Sequence, residues 1–136
     1  MQTRSALDIR RHWTQFLDDV ERHGHTIAIT YRHKPAMQAL PPAIYRAYAE
    51  ALDDRRGEPQ NIATPERKGT TTPSVTLDDV TAPAIRVDSQ TARSSWREVQ
   101  LYAMDKGHVH ITRWKKTALV LVPSEWGERG AQAATS

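Results

Sequence analysis

The stretch HGHTIAITYRHKPAMQALPP, His23 to Pro42, returns 82 to 83 positions later as KGHVHITRWKKTALVLVPSE, Lys106 to Glu125. An internal repeat constrains a fold more tightly than any single motif, because both copies must take the same local structure. At an offset of 83, Arg10 faces Arg93, Trp13 faces Trp96, Gly24 faces Gly107 and His25 faces His108. After a one-residue gap the offset is 82, and Ile29-Thr30 meets Ile111-Thr112, Lys34 meets Lys116, Ala36 meets Ala118 and Pro41 meets Pro123. These nine identities over some 36 aligned positions fall in order, and the apolar classes between them agree.

Each copy parses the same way. Ser5 and Asp88 are helix N-cap residues, and Ile9, Trp13, Phe16, Leu17 and Val20 then form one apolar helical face. Copy two keeps Ala92, Trp96, Val99 and Ala103 there, interrupted by Gln100. Gly24 and Gly107 are expected to stop the helices in the left-handed conformation. A β-branched run follows, TIAIT or VHIT, then a basic turn, Arg32-His33-Lys34-Pro35 or Trp114-Lys115-Lys116-Thr117. A second strand, AMQAL or ALVLV, stops at Pro41 or Pro123. Pro42 suits the first turn of a further helix, PAIYRAYAEALDDRR, whereas its counterpart SEWGERG is expected to be cut short by two glycines.

A unit of about 40 residues is too small to bury a core alone. It has to pack against a sister unit, within the chain or from another chain. The reading is therefore an α+β fold: residues 1–56 a first unit, 57–84 a flexible Pro/Thr-rich linker, 85–127 a second unit and 128–136 a disordered tail. Charge follows that division. Residues 1–56 carry nine Lys/Arg against seven Asp/Glu, 57–84 two against four, and 85–136 eight against five, so two basic lobes flank an acidic middle.

Several classes are disfavoured. The longest apolar run, TALVLV, is far too short to span a bilayer, and MQTRSALD lacks the pattern of a signal peptide, so a cytoplasmic protein is expected. With no cysteine, a metal would rest on the six histidines and the carboxylates, and no ligand set recurs at matched spacing. Neither a nucleophile elbow nor a phosphate-cradling glycine loop is present. No enzyme, cofactor or metal is expected.

VDSQTAR (Val87 to Arg93) and ITRWKKTALVLVP (Ile111 to Pro123), with SALDIR (Ser5 to Arg10) and ITYRHKPAMQALP (Ile29 to Pro41) in copy one, resemble the Phd/YefM antitoxins of prokaryotic toxin–antitoxin modules. Members read approximately V-S-A-S-E-A-R, an apolar helix, G-E, then I-T-R-R-G-K-P-V-A-V-L-V-P. Two departures stand out: the turn glycine is His33 or Lys115, and the turn proline is Thr117 in copy two.

The resemblance implies tandem units, each a helix, an antiparallel hairpin and a helix, sharing one antiparallel sheet as a pseudo-dimer within a chain or between chains. It implies a DNA-binding transcriptional regulator reading a roughly two-fold operator, with a cognate toxin as a second partner and a homodimer of the two-repeat chain as one assembly. By position, Arg10, Arg11 and Arg93 are the candidates for DNA contact, with Arg32, Lys34, Lys115 and Lys116 along phosphates. The alternative is a protein-interaction module without DNA recognition, holding a partner through Tyr45, Tyr48 and Leu52 or through the linker.

Overall fold

A computed structural model of the chain describes residues 1–62, 75–105 and 107–135. In chain order the elements are β1 (Gln2–Ser5), α1 (Ala6–Arg11), α2 (Trp13–Glu21), β2 (Ile27–Tyr31), β3 (Lys34–Leu40), α3 (Pro42–Ala51), β4 (Gln60–Asn61), β5 (Ala84–Asp88), α4 (Ser89–Ser94), α5 (Trp96–Asp105), β6 (His108–Arg113), β7 (Lys116–Pro123) and α6 (Ser124–Thr135). The strands join in one mixed sheet of order β1-β2-β3-β7-β6-β5-β4. None of the helices among the described residues is long and apolar enough to cross a membrane.

The sheet reads the same from its middle outward. On each side an antiparallel hairpin, β2-β3 or β6-β7, is flanked by a parallel strand, β1 or β5. Both hairpins carry a register irregularity at equivalent places, Ile29/Thr30 and Ile111/Thr112. The halves meet where β3 pairs antiparallel with β7, with Ala39 opposite Leu121. Those two positions are equivalents at the offset of 82, so a pseudo-two-fold axis passes through that pair. The two copies therefore pair within one chain.

The axis organises both faces. On one, the helices of each copy reach over the other copy's central strand, α2 onto β7 and α5 onto β3. The equivalent tryptophans Trp13 and Trp96 meet edge to face, with ring centroids 5.3 Å apart. Ile9, Phe16, Val20, Ile29, Val99, Ile111, Leu119 and Leu121 complete this core, all fully buried. On the opposite face α3 and α6 pack together over Leu40, Val120 and Val122. Arg113 of copy two ties the copies further, bonding Asp18 and Glu21 of copy one at 2.7 Å each.

Ser5 and Asp88 do cap their helices. The Ser5 hydroxyl accepts from the Asp8 N–H, and the Asp88 carboxylate accepts from the N–H groups of Gln90 and Thr91. Each expected single helix is instead bent, at His12 and at Ser95, equivalent positions with φ near −118° and −109°. Backbone bonds such as Phe16 N–H to His12 O and Val99 N–H to Ser95 O still bridge each bend.

Several expectations are corrected. Gly24 takes the left-handed conformation, with φ +68°, but Gly107 does not; a Cβ there would lie 2.2 Å from the Pro83 carbonyl oxygen, so close approach is what demands glycine. The segment 57–84 is not a free linker at its described ends: Gln60–Asn61 forms β4 beside β5, and Leu77 is buried in the main core. Residues 63–74, also assigned to that linker, lie outside the described residues. The expected disordered tail at 128–136 is helical to Thr135, as the second half of α6.

The glycines of α6 do not cut it short, because they make it fit. Gly130 is the equivalent of Tyr48, and a Cβ on it would lie 2.7 Å from the Tyr48 side chain. Large meets small across the axis, which suits a pairing of unlike copies. Gly130→Ala is expected to destabilise the chain by about 1–3 kcal/mol through overpacking, where an unencumbered helical glycine would gain about 1 kcal/mol. In a Tyr48→Ala background the same change should become neutral or favourable, as read by urea denaturation.

Candidate nucleic-acid interface

The main polar surface is built on the two short helices and two hairpin tips. The Ser5 and Asp88 caps start α1 and α4 at matched places, and Ala6 and Ile9 or Thr91 and Ala92 turn inward. Arg10, Arg11 and Arg93 are thereby left on the outside. All three line one surface depression of about 560 Å³ together with Leu7 and Ser94.

Two further grooves extend this depression in opposite directions, one per copy. The first, about 800 Å³, runs from Gln90 and Arg93 to Thr112, Arg113, Trp114 and Lys115. The second, about 450 Å³, runs from Leu7 and Arg10 to Thr30, Tyr31, Arg32 and His33. Their linings are largely equivalent, Gln90 to Leu7, Arg93 to Arg10, Trp114 to Arg32 and Lys115 to His33. Of the expected contact residues the structure thus joins Lys115, Arg93, Arg11, Arg10 and Arg32 along one strip. Lys34 and Lys116 are exposed on the first residues of β3 and β7 beside the turns and line none of these three grooves.

Some cations are paired and others are not, and the exposed ones without a carboxylate partner among the described residues include Arg46, Arg97 and Arg129 as well as those of the strip. Arg4, Arg22, Arg55, Arg56, Arg86 and Arg113 each pair with a carboxylate. Arg10, Arg11, Arg32, Lys34, Arg93, Lys115 and Lys116 are all exposed, and none has a carboxylate partner among the described residues. Arg32 lies over the Tyr31 ring, its guanidinium carbon 5.2 Å from the centroid. Unpaired cations on a ridge and groove surface are suited to a polyanion.

Both hairpin tips are two-residue loops with both residues at positive φ: Arg32 52° and His33 66°, Trp114 56° and Lys115 62°. That is the type I′ turn, whose twist matches the strands and which normally takes Asn-Gly because both central residues need positive φ. Here four side chains are held in a conformation costing non-glycine residues on the order of 1 kcal/mol each. His33→Gly and Lys115→Gly are each expected to raise stability by about 1 kcal/mol, measurable as a higher urea midpoint at unchanged slope.

The reading of the sequence missed Leu7, Gln90 and Trp114 as members of this surface. The signal was present for two of them, since Leu7 and Gln90 stand three residues before Arg10 and Arg93 and so share their helix face. Trp114 was concealed because a tryptophan ordinarily packs; this one is 85% exposed.

Tyr45, Tyr48 and Leu52, expected to hold a partner, face inward instead. They pack with α6: Tyr45 stacks on Trp126 at 5.4 Å, Tyr48 lies against Trp126 and Gly130, and Leu52 joins the same cluster. The reason is the α6 glycines, which let a short polar-looking helix dock where a partner was expected. Trp126 also donates its indole N–H to Asp54, which Arg56 holds in turn with two bonds.

Beneath this helix pair lies His108, fully buried, its Nδ1 2.7 Å from the Tyr45 hydroxyl. Burial, with the nearby Arg56 charge, pushes His108 down to about 3, and burial with Arg86 pushes His110 down to about 4. Burial raises Tyr45 to about 12, so the phenol keeps its proton while it shares a hydrogen bond with neutral His108. Among the described residues no group of three or more His, Asp or Glu is arranged to hold a metal ion. No protein-family model, no curated protein and no solved structure matches the chain.

The two histidines make stability acid-sensitive. Each is neutral in the fold and takes up a proton only on unfolding, where its value is 6.5, so stability falls as pH drops from 6.5 toward about 4 for His110 and about 3 for His108. The loss approaches about 1.4 kcal/mol per pH unit for each group. Denaturation midpoints that stay constant from pH 6.5 to 4.5 would contradict this.

Proposed function

We propose that the chain is a DNA-binding regulator of the antitoxin type, in which a single chain supplies both halves of a reading surface. The observation that carries the proposal is the strip of five exposed cations without carboxylate partners among the described residues, three of them lining one depression, with Lys34 and Lys116 beside its two tips. Support also comes from the pseudo-two-fold axis, which relates two helices and two tips as the two halves of an operator are related. The resemblance of both copies to Phd/YefM antitoxins points the same way. Arg10 and Arg93 are assigned to base edges, Arg11 to either base or backbone, and Arg32, Lys34, Lys115 and Lys116 to phosphates. A partner-holding role for Tyr45, Tyr48 and Leu52 is left out, because α6 covers them.

The test is duplex selection from a random library followed by affinity measurement across salt. Binding should weaken steeply with salt, because phosphate neutralisation releases counterions. Arg10→Ala and Arg93→Ala should each weaken the selected site by roughly fivefold or more, whereas Lys115→Ala should weaken all duplexes alike and reduce the salt slope by about one. A folded chain that selects no duplex at low salt would refute the proposal. Solution mass of the complex should give one chain per operator.

A further inference from the structure

We infer that the operator is not a palindrome: the two halves of the surface are built to read unlike half-sites, and the chain binds in one fixed orientation. This rests on the DNA-binding reading above and goes beyond it.

The backbone of the surface obeys the pseudo-two-fold axis, with equivalent caps, bends, register irregularities and type I′ tips. Its side chains do not. Of the equivalent pairs along the grooves, Arg10 with Arg93, Thr30 with Thr112 and the buried Trp13 with Trp96 are alike, whereas Leu7 with Gln90, Arg32 with Trp114 and His33 with Lys115 are not. One helical turn earlier, Leu7 of copy one, 59% exposed, stands where copy two has exposed Gln90. Next to the arginines, Arg11 stands where copy two has Ser94. At the tips, Arg32 lies over Tyr31, whereas Trp114 is exposed beside Lys115.

Each difference changes what a groove edge must offer. An apolar side chain such as Leu7 selects a thymine methyl, while a glutamine pairs through two hydrogen bonds with adenine. Arginine at position 11 can bond guanine or span to a phosphate, and serine at 94 is too short to do the same from the same backbone position. A guanidinium at a tip follows phosphates, whereas an exposed indole stacks or wedges against bases or sugars. A palindrome presents the same edges to both copies, so one copy would always meet edges suited to the other. Each mismatched base pair weakens specific binding by roughly five- to 150-fold.

A homodimer could not exploit such differences, because every chain would carry the same side chains. Here the copies are held together covalently and by complementary contacts across the axis, Tyr48 against Gly130 and Arg113 against Asp18 and Glu21. The chain is thereby fixed as one unlike pair. Its two halves are free to diverge without losing the partner.

The experiment starts from duplexes selected by the full wild-type chain. The consensus should have two unlike halves, and two palindromes made by inverting either half should each bind at least tenfold more weakly than the parent site. In chains that unfold at the wild-type temperature, Gln90→Ala with Trp114→Ala should weaken the parent site and the palindrome of the copy-two half. The same pair should leave the palindrome of the copy-one half within about threefold in its better register. Exchanging side chains between copies, Leu7→Gln with Gln90→Leu, Arg11→Ser with Ser94→Arg, Arg32→Trp with Trp114→Arg and His33→Lys with Lys115→His, adds no new backbone demand at the tips, where equivalent residues already sit at matching positive φ, 52° and 56°, 66° and 62°. That variant should bind the same duplex in the reversed orientation, as read by a cleavage reagent tethered near one end of the chain. A palindromic consensus, or palindromes bound as tightly as the parent, would overturn the asymmetry and leave DNA binding standing. Failure of the wild type to select any duplex would remove both.

Discussion

Everything in this molecule follows from one strand pairing, β3 against β7. Four antiparallel pairs, from Met37–Pro123 to Leu40–Val120, convert a three-stranded and a four-stranded half into a single sheet. Neither half could stand alone, because each hairpin would leave an open edge of unpaired backbone groups and a helix with no second layer. Joining them lets α2 and α5 cross onto the sister copy and seals both faces. Trp13 and Trp96 then close the seam from one side, and Tyr48 with Gly130 closes it from the other.

The same pairing builds the cationic surface. Arg10 and Arg93 are 83 positions apart in the chain, yet the axis sets them on one depression. The strained tips are carried outward by the hairpins, one in each direction from the centre. Four non-glycine residues at positive φ are an expense the folded state tolerates because the strands on either side are locked by the shared sheet. Several acidic groups are paired with other cations: Asp18 and Glu21 hold Arg113 at the edge of the copy-two groove, Asp19 holds Arg4, and Asp54 holds Arg56 and Trp126. The cations of the strip are left without such partners among the described residues.

The opposite face has a different character. Tyr45, Trp126 and His108 interlock as a buried aromatic cluster, with Asp54 and Arg56 as its polar rim. Sequence pattern favoured the outward reading of Tyr45, Tyr48 and Leu52, since an amphipathic helix after the hairpin has no obvious partner in the chain. Its partner is α6, whose two glycines are poor helix formers by propensity. Propensity is a weak guide where packing needs a missing side chain, and here a glycine opposite a tyrosine is worth more than the helix stability it forfeits.

By itself the sequence determined the repeat, the two capped helices, the hairpins and the basic turns, because caps, β-branched runs and prolines act over a few residues. It also determined that one copy needs another, from size alone. Tertiary structure decided what depends on distant residues meeting: that the copies pair within the chain, that β1 and β5 join the sheet although QTRS and AIRVD carry little strand signal, and that Leu77 belongs to the core. It also decided which face of α3 is covered. Periodicity reports what a segment wants to bury, whereas only the assembled sheet reports against what.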